Sequence, residues 1–550
     1  MRPKKRHPFL RAGALASAFA AAIQPGAQGS TARIPQGGIF RISLEGVGLG
    51  QLDYVDPALS YTREGWALLD TTCAHLMSYP DRPAPEGFRI VPEVATGFPR
   101  ISRDGKTYTF TLRKGFRFSD GRPVRANAFA RAINRTLAPG IRSAAVQYTQ
   151  DIVGAEDVRS GKRKTAIGVV ARGTNLVIRF KHPIRDFAQR TTMPFFCAVP
   201  PTLPVDPEGI GAFASAGPYY ISEYRPRERV VIRRNRFYGG SRPHHVDGYD
   251  VDLRADSPQE VIERVDTGAA DWGYTIAAQY FDPSLRLLAK YGINKAQLHI
   301  RPGLTLRMLV FNSSRPLFHN NPKLRRAVNF AIDRAVIASS TRHPLAGDLT
   351  DQYLPEQVPG YREADVYPLY SADLRRARAL ARGSLRSGKA QLYVTDFPQP
   401  VALGQAVKQQ LAEIGLDIEM KKIPLHVTNP AYLGRLGDPR EPWDMALVLW
   451  TPDFVDPYSY INRPLDAQYI GGTNLARFNS AKYDRLMRQA AITRGRARYR
   501  AYGALDVRLS RDPAPLVPID FLSEVTFVSK RVGCMVLRPA LDLTAACLSR

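Results

Sequence analysis

LRMLVFNSSRPLFHNNPKLRRAVNFAIDR, from Leu306 to Arg334, joins three kinds of local signal in one stretch. An apolar, strand-like run ends at Asn312. A polar turn carrying Pro316 and Pro322 follows. Leu324, Ala327, Val328, Ala331 and Ile332 then recur at the spacing of one helix face. No side chain here forms a catalytic set. Strand, proline turn and amphipathic helix in this order are parts of an α/β architecture, and the flanking sequence has the same rhythm.

Downstream, a strand over Gln391–Val394, a helix over Val401–Ile414, a turn at Gly415 and a strand over Leu416–Ile423 succeed one another. A strand at Asp444–Leu449 leads into a loop, Trp450–Pro457. Helices over Ala481–Ala491 and Arg496–Leu509 precede an apolar strand, Pro515–Phe521. Upstream, GIFRISL (Gly38–Leu44) reads as a strand, followed by a glycine-rich turn, Gly46–Gly50, and a helix over Trp66–Leu76. TYTFTL (Thr107–Leu112) alternates as a strand should. Gly115–Asp120 reads as a second strand, Ala126–Leu137 as a helix, and Ala166–Phe180 as a hairpin. A further strand pair spans Gly217–Ile221 and Arg229–Arg233, before a helix over Pro258–Asp266 and a short strand at Asp271–Tyr274. Alternation of this kind argues for parallel or mixed sheets covered by helices.

The N-terminus reads as an export signal. Arg2, Lys4, Lys5, Arg6 and Arg11 precede a short run of small apolar residues, Ala12–Ile23, which Pro25 breaks. The run is shorter than the roughly 20 residues a membrane span needs and fits a leader over residues 1–30. An uncleaved anchor is the competing reading. Four cysteines, Cys73, Cys197, Cys534 and Cys547, are an even number in an exported chain. Three pairings exist; Cys534 and Cys547 make the natural local pair, which leaves Cys73 with Cys197. No CxxC spacing suggests a metal site. The net charge of +27 comes from 77 Lys+Arg against 50 Asp+Glu, spread through all 550 residues. With an export signal, that charge reads as a solvated surface near an anionic envelope, not as a nucleic-acid footprint.

Several of these stretches, in this order, resemble the extracellular solute-binding proteins of peptide/nickel-type ABC importers. DGKTYTFTLRKGFRFSDGRPVRAN (Asp104–Asn127) has that family's order of turn, aromatic strand, Leu-Arg, second strand, turn and helix start. Asn127 stands where an acidic residue is usual; Asn is itself a competent helix cap. SAGPYYISEYRPRERVVIRRNRFYGG (Ser215–Gly240) resembles the family's Gly-Pro-Tyr strand and Arg-Asn turn. ADLRRARALA (Ala372–Ala381) resembles a small helix, and WDMALVLWTPDFVDPYSY (Trp443–Tyr460) a second-lobe strand with its ligand loop.

The resemblance implies an α/β, two-lobe periplasmic-binding-protein (Venus flytrap) fold with two hinge crossings, near Ile300–Val310 and Leu516–Val528, and an extra subdomain in lobe one. Lobe one would span 31–300, with the subdomain at 82–192, lobe two 301–520, and 521–550 would return to lobe one. It implies a receptor that captures a peptide or another small solute by lobe closure and delivers it to an ABC permease/ATPase complex. The protein would be a monomer on the extracytoplasmic side, without cofactor, metal or nucleic acid. Asp453 stands where peptide-binding relatives hold the ligand's ammonium group; a turn-capping role is its competing reading. Trp450 and Trp66 are further cleft candidates, each with a core-packing alternative.

An enzyme is the rival class. Phe213-Ala-Ser215-Ala-Gly217 misses GxSxG at its first glycine, so an exported hydrolase lacks its elbow. No GxxxxGK[ST] is present, and His244-His245 lie in a Pro-rich turn without an HExxH helix. An envelope sensor module not tied to import is the other alternative.

Overall fold

The computed structural model describes residues 34–46, 51–273, 283–339, 347–424, 431–538 and 540–549. The leader, the glycine-rich turn from residue 47 and Tyr274 lie outside the described residues. From Pro35 onward the chain forms one compact unit, and two large sheets organise it into two lobes.

The first lobe holds a five-stranded sheet in the order Trp272–Gly273, Ile39–Glu45, Gly248–Ala255, Arg229–Arg234, Tyr219–Arg225. Ile39–Glu45 runs parallel to both neighbours; the other pairings are antiparallel. Its Phe40 and Ile42 pack with Tyr249, Val251 and Leu253. The Gly217-Pro218-Tyr219 motif has a steric reason. The Gly217 N–H donates to the Thr72 carbonyl at 2.8 Å, and a Cβ at Gly217 would lie 2.5 Å from the Thr72 backbone. Only glycine lets this strand start against the end of the helix Arg63–Thr72.

A four-stranded antiparallel sheet, Arg100–Ile101, Thr107–Thr111, Asn175–Arg179 and Val169–Arg172, forms the subdomain with the helix Ala126–Thr136. Tyr108 and Phe110 point to its core while the intervening threonines face outward. Two local expectations fail here. Gly115–Asp120 is not a strand: Phe116 and Phe118 are buried, but the backbone turns back at once, with the Phe118 N–H on Arg122 O and the Gly121 N–H on Phe118 O. Only the single bridge Arg117–Pro123 forms. Asn127 does not cap the helix. Arg125 holds that position without a side-chain bond, and the helix begins at Ala126.

The second lobe is a six-stranded mixed sheet in the order Asp348–Leu349, Leu516–Phe527, Leu298–Phe311, Met445–Trp450, Lys389–Thr395, Asp417–Ile423. Leu306–Phe311, in the strand Leu298–Phe311, runs through its centre. Leu306, Met308 and Val310 enter one apolar cluster, and Leu309 and Phe311 the other. Covering on both faces explains why the run lacks polar alternation. In the turn that follows, the Asn321 side chain accepts from the Leu324 N–H and Pro322 takes the first helical position. Leu324, Ala327, Val328 and Ala331 then bury on the sheet. Ile332 joins the same core but from extended backbone, since the helix ends at Ala331.

Leu298–Phe311 and Leu516–Phe527 pair antiparallel from Leu298–Phe527 to Val310–Leu516. The register shifts between Arg301–Glu524 and Thr305–Leu522, which leaves Pro302 and Gly303 as extra residues in a bulge. Pro302 has no N–H to give the ladder. A Cβ at Gly303 would lie 2.1 Å from the Leu522 carbonyl oxygen. Inside the second lobe the two strands are tied by a buried bidentate pair, Arg307 Nε–Asp520 Oδ1 at 2.7 Å and Arg307 Nη2–Asp520 Oδ2 at 2.5 Å. Beyond Phe527, Val528 bridges Trp272. The hairpin Val532–Arg538/Ala540–Leu548 then packs Leu541, Leu543 and Leu548 into the first-lobe core.

Cys73 pairs with Cys197, and Cys534 with Cys547, at Cα separations of 5.3 and 5.0 Å. Cys534 and Cys547 face each other across the terminal hairpin. Among the described residues no helix is long and apolar enough to cross a membrane, and no group of three or more His, Cys, Asp or Glu is placed to hold a metal.

Candidate functional site

Between the lobes lies a cavity of about 460 Å³. The helix Arg63–Thr72 and the turn before it form one wall, the loop after Met445–Trp450 faces them, and the terminal hairpin closes one side.

The first-lobe wall is built by one carboxylate. Asp53 accepts from the backbone N–H of Tyr54 and Tyr61 and from the hydroxyls of Ser60 and Thr62. Thr62 in turn caps the helix, accepting from the Gly65 N–H at 3.2 Å. This network sets Tyr61 and, one turn into the helix, Trp66. The Trp66 indole N–H donates to Ser60 O at 2.8 Å, and its ring meets Tyr61 and Phe195 edge-on at 5.8 and 5.6 Å. Its exposed face lines the cavity.

The second-lobe loop is anchored at both ends. At its start, the Trp450 indole N–H donates to Ser459 O at 2.8 Å. At its end, Asp456 caps the helix Pro457–Leu465 through the Tyr458 N–H and takes two bonds from Arg498, at 2.8 and 2.6 Å. Asp453 lies between these anchors. Its Oδ2 accepts from the Tyr61 hydroxyl at 3.1 Å and from the Tyr148 hydroxyl, both from the first lobe. Its Oδ1 has no partner among the described residues. Arg463 acts on it from behind, its guanidinium held between the rings of Tyr148 and Tyr469 at 5.3 and 4.3 Å. Burial pushes the Asp453 carboxyl above its ordinary value, and Tyr148, Arg463 and Tyr61 offset only part of that. An ionised carboxylate in this state gains most from a cation placed on its open oxygen.

Asp453 and Trp66 are therefore brought together in one cavity. Trp450 is not among the residues that line it: the ring packs against the core and its N–H is taken up in the loop. Sequence reasoning missed Tyr61, Tyr148, Arg63, Asp70, His75, Arg538 and Asp542. Tyr61 lies two residues ahead of the helix Arg63–Thr72. Arg538 and Asp542 sit on a terminal hairpin hundreds of residues from Asp70, which Arg538 meets at 3.7 Å, and no local pattern signals such a contact.

Further bonds join the lobes around the cavity. The Val455 N–H donates to the Tyr79 hydroxyl oxygen at 3.0 Å, Arg63 of the first lobe pairs with Glu524 of a crossing strand at 2.5 Å, and the rings of Tyr148 and Phe454 meet at 6.0 Å. The lobes are closed on each other.

The family described as "Bacterial extracellular solute-binding proteins, family 5 Middle" matches residues 89–471. The oligopeptide-binding protein OppA of Bacillus subtilis (strain 168) is 22% identical over 445 residues, covering 77% of this chain and 78% of its own. A probable deoxycholate-binding periplasmic protein, YgiS of Escherichia coli (strain K12), is 26% identical over 457 residues, with 78% and 79% covered. Among solved structures, the clavulanic acid biosynthesis oligopeptide binding protein 2 superposes with a TM-score of 0.82 at 23% identity, over 94% of this chain and 96% of that one. The family match spans more than half of the chain, and the two-lobe structure agrees with it: the chain belongs to the bacterial extracellular solute-binding proteins, family 5.

Proposed function

We propose that this protein is the receptor of an ABC importer and that it captures a peptide, or a similar small solute with a free ammonium group, between its lobes. Asp453 Oδ1 takes the ammonium, Tyr61 and Tyr148 hold the other carboxylate oxygen, and Trp66 offers an apolar face beside it. The observation that carries this reading is the open oxygen of Asp453 in a closed interlobe cavity. The peptide-binding names among the relatives support it. Closure about the paired strands Leu298–Phe311 and Leu516–Phe527 buries the ligand, and the closed form is what the membrane permease recognises.

On this reading the protein works as a monomer on the extracytoplasmic side, after export through its leader. The lobes divide as 31–300 and 301–520, with 82–192 as the subdomain and 521–550 returning to the first lobe. The protein binds and releases its solute without chemical change, in keeping with a family of binding proteins.

Native mass spectrometry of protein purified from its host tests the reading. A retained mixture of peptides supports it. A retained bile acid, sugar or metal chelate replaces the ligand class, and turnover of a peptide panel, lost in Ser215→Ala, replaces the receptor by a hydrolase.

A further inference from the structure

The charged groups around the cavity are unevenly satisfied. Two guanidinium groups line it, Arg63 and Arg538. Each already faces a carboxylate of the protein: Arg63 pairs with Glu524 at 2.5 Å, and Arg538 with Asp542 at 2.7 Å and Asp70 at 3.7 Å. Three carboxylates line the same space, Asp70, Asp453 and Asp542. Asp70 shares its second partner, Arg242 at 2.7 Å, with the buried Glu93 at 3.8 Å. Asp453 has no ion pair among the described residues.

The lining groups with their direct ion-pair partners are Asp70, Asp453, Glu524 and Asp542 against Arg63, Arg242 and Arg538, with His75 and Glu93 as a further pair at 3.5 Å. Arg463 behind Asp453 brings the set to balance, so neither lining guanidinium is left over for a ligand's carboxylate. His75 supplies an independent observation. It lines the cavity, is 1% exposed, faces Glu93 Oε2 at 3.5 Å through Nδ1, and its Nε2 has no hydrogen-bond partner among the described residues. It offers a ligand a directed polar contact next to the acidic side. All this occurs in a chain whose net charge is +27.

We infer that the cavity is built for a ligand of net positive charge, with an ammonium at Asp453 and a second cationic or neutral polar end towards Asp70 and His75, and that it disfavours a ligand ending in a free carboxylate. A zwitterionic peptide would bring its carboxylate to guanidinium groups that are already neutralised, so its second charge would be desolvated without compensation. A peptide amide, or an amine with a positive charge at each end, meets no such penalty. The inference rests on the receptor reading above for its ammonium contact and adds the charge of the rest of the ligand.

Calorimetric titration of the purified full chain tests it with four probes: Ala-Ala, its C-terminal amide, 1,4-diaminobutane and succinate. The amide is expected to bind about ten-fold or more tighter than the free acid, the difference of one uncompensated charged contact. Ala-Ala binding as tightly as its amide, or more so, overturns the inference and leaves the peptide-receptor reading standing. Binding of 1,4-diaminobutane, with neither dipeptide nor succinate bound, supports the inference and overturns the peptide reading. Succinate bound in preference to 1,4-diaminobutane, or no probe bound at all, overturns both. Asp70→Asn gives a check on mechanism: it is expected to narrow the gap between amide and free acid while the protein still binds the amide.

Discussion

At the scale of single residues, Asp453 and Glu64 show the same physics put to different ends. Both are carboxylates that burial drives towards the neutral form. Asp453 keeps two tyrosine hydroxyls and one open oxygen, so its deficit is one a ligand can make up. Asp453→Asn is expected to weaken an ammonium ligand by about 1.5–3 kcal/mol, a charged hydrogen bond's worth, as isothermal titration would read. Glu64, in the first turn of the helix Arg63–Thr72, is raised to about 8 by burial, and its Oε1 has no hydrogen-bond partner among the described residues. A carboxyl whose folded value lies above its unfolded one contributes stability that is fully present below about pH 4.3 and is lost as pH rises through the folded value. Thermal unfolding of Glu64→Gln should therefore track the wild type near pH 4 and gain on it steadily towards pH 8. A pH-independent difference would mean that Glu64 titrates in the native state as it does in the unfolded chain.

At the scale of elements, the crossing strands do two jobs. Inside the second lobe Arg307 and Asp520 clamp them with a fully buried fork. Nearer the first lobe the Pro302-Gly303 bulge interrupts the ladder. Removing one partner of a buried pair leaves the other charge uncompensated, which costs about 3–5 kcal/mol. Arg307→Ala is expected to lose that much in urea unfolding, whereas Arg307→Met with Asp520→Leu should recover most of it. Gly303→Ala sets a Cβ against the Leu522 carbonyl; it is expected to perturb closure, read as weaker ligand binding, more than it perturbs the melting temperature. The sequence announced these strands by their apolar runs. It gave no sign of the bulge, because a bulge is a property of the pairing and not of either strand alone.

For the whole molecule, the receptor reading makes lobe closure the functional motion, and the hydrogen bonds across the cleft are what closure would form. Saturating ligand should compact the protein in small-angle scattering and stabilise it by about 2.7 kcal/mol at a hundred-fold excess over Kd. The two disulfides act on the unfolded chain according to the loops they close. Replacing both Cys534 and Cys547 by Ala, across a separation of 13, should cost about 3 kcal/mol. The corresponding change at Cys73 and Cys197, across 124 residues, should cost about 5 kcal/mol. Equal losses, measured by denaturant unfolding, would place the stabilisation in the native state and not in chain entropy.

The sequence by itself determined the layered α/β plan. Periodicity of apolar residues and turn chemistry are local properties, and they placed the C-terminal end of the central strand, the helix after Pro322 and the strand before Trp450 within a few residues, though not the central strand's start at Leu298, well ahead of its apolar run. Where a local pattern had two structural outcomes it misled: the aromatic run Gly115–Asp120 buries its rings from a turn, and Asn127 sits inside a helix it was expected to cap. Only the tertiary structure decided the site. Asp453 was legible as a loop residue after a strand, but its partners Tyr61 and Tyr148 come from 392 and 305 residues away in the chain. Trp450 and Trp66 are alike in sequence, yet Trp66 faces the cavity and Trp450 does not. The charge balance that selects a ligand belongs to groups gathered from both lobes and the C-terminal hairpin. It exists only once the lobes meet, because burial and distance, which set the strength of every charge here, are absent from the linear chain.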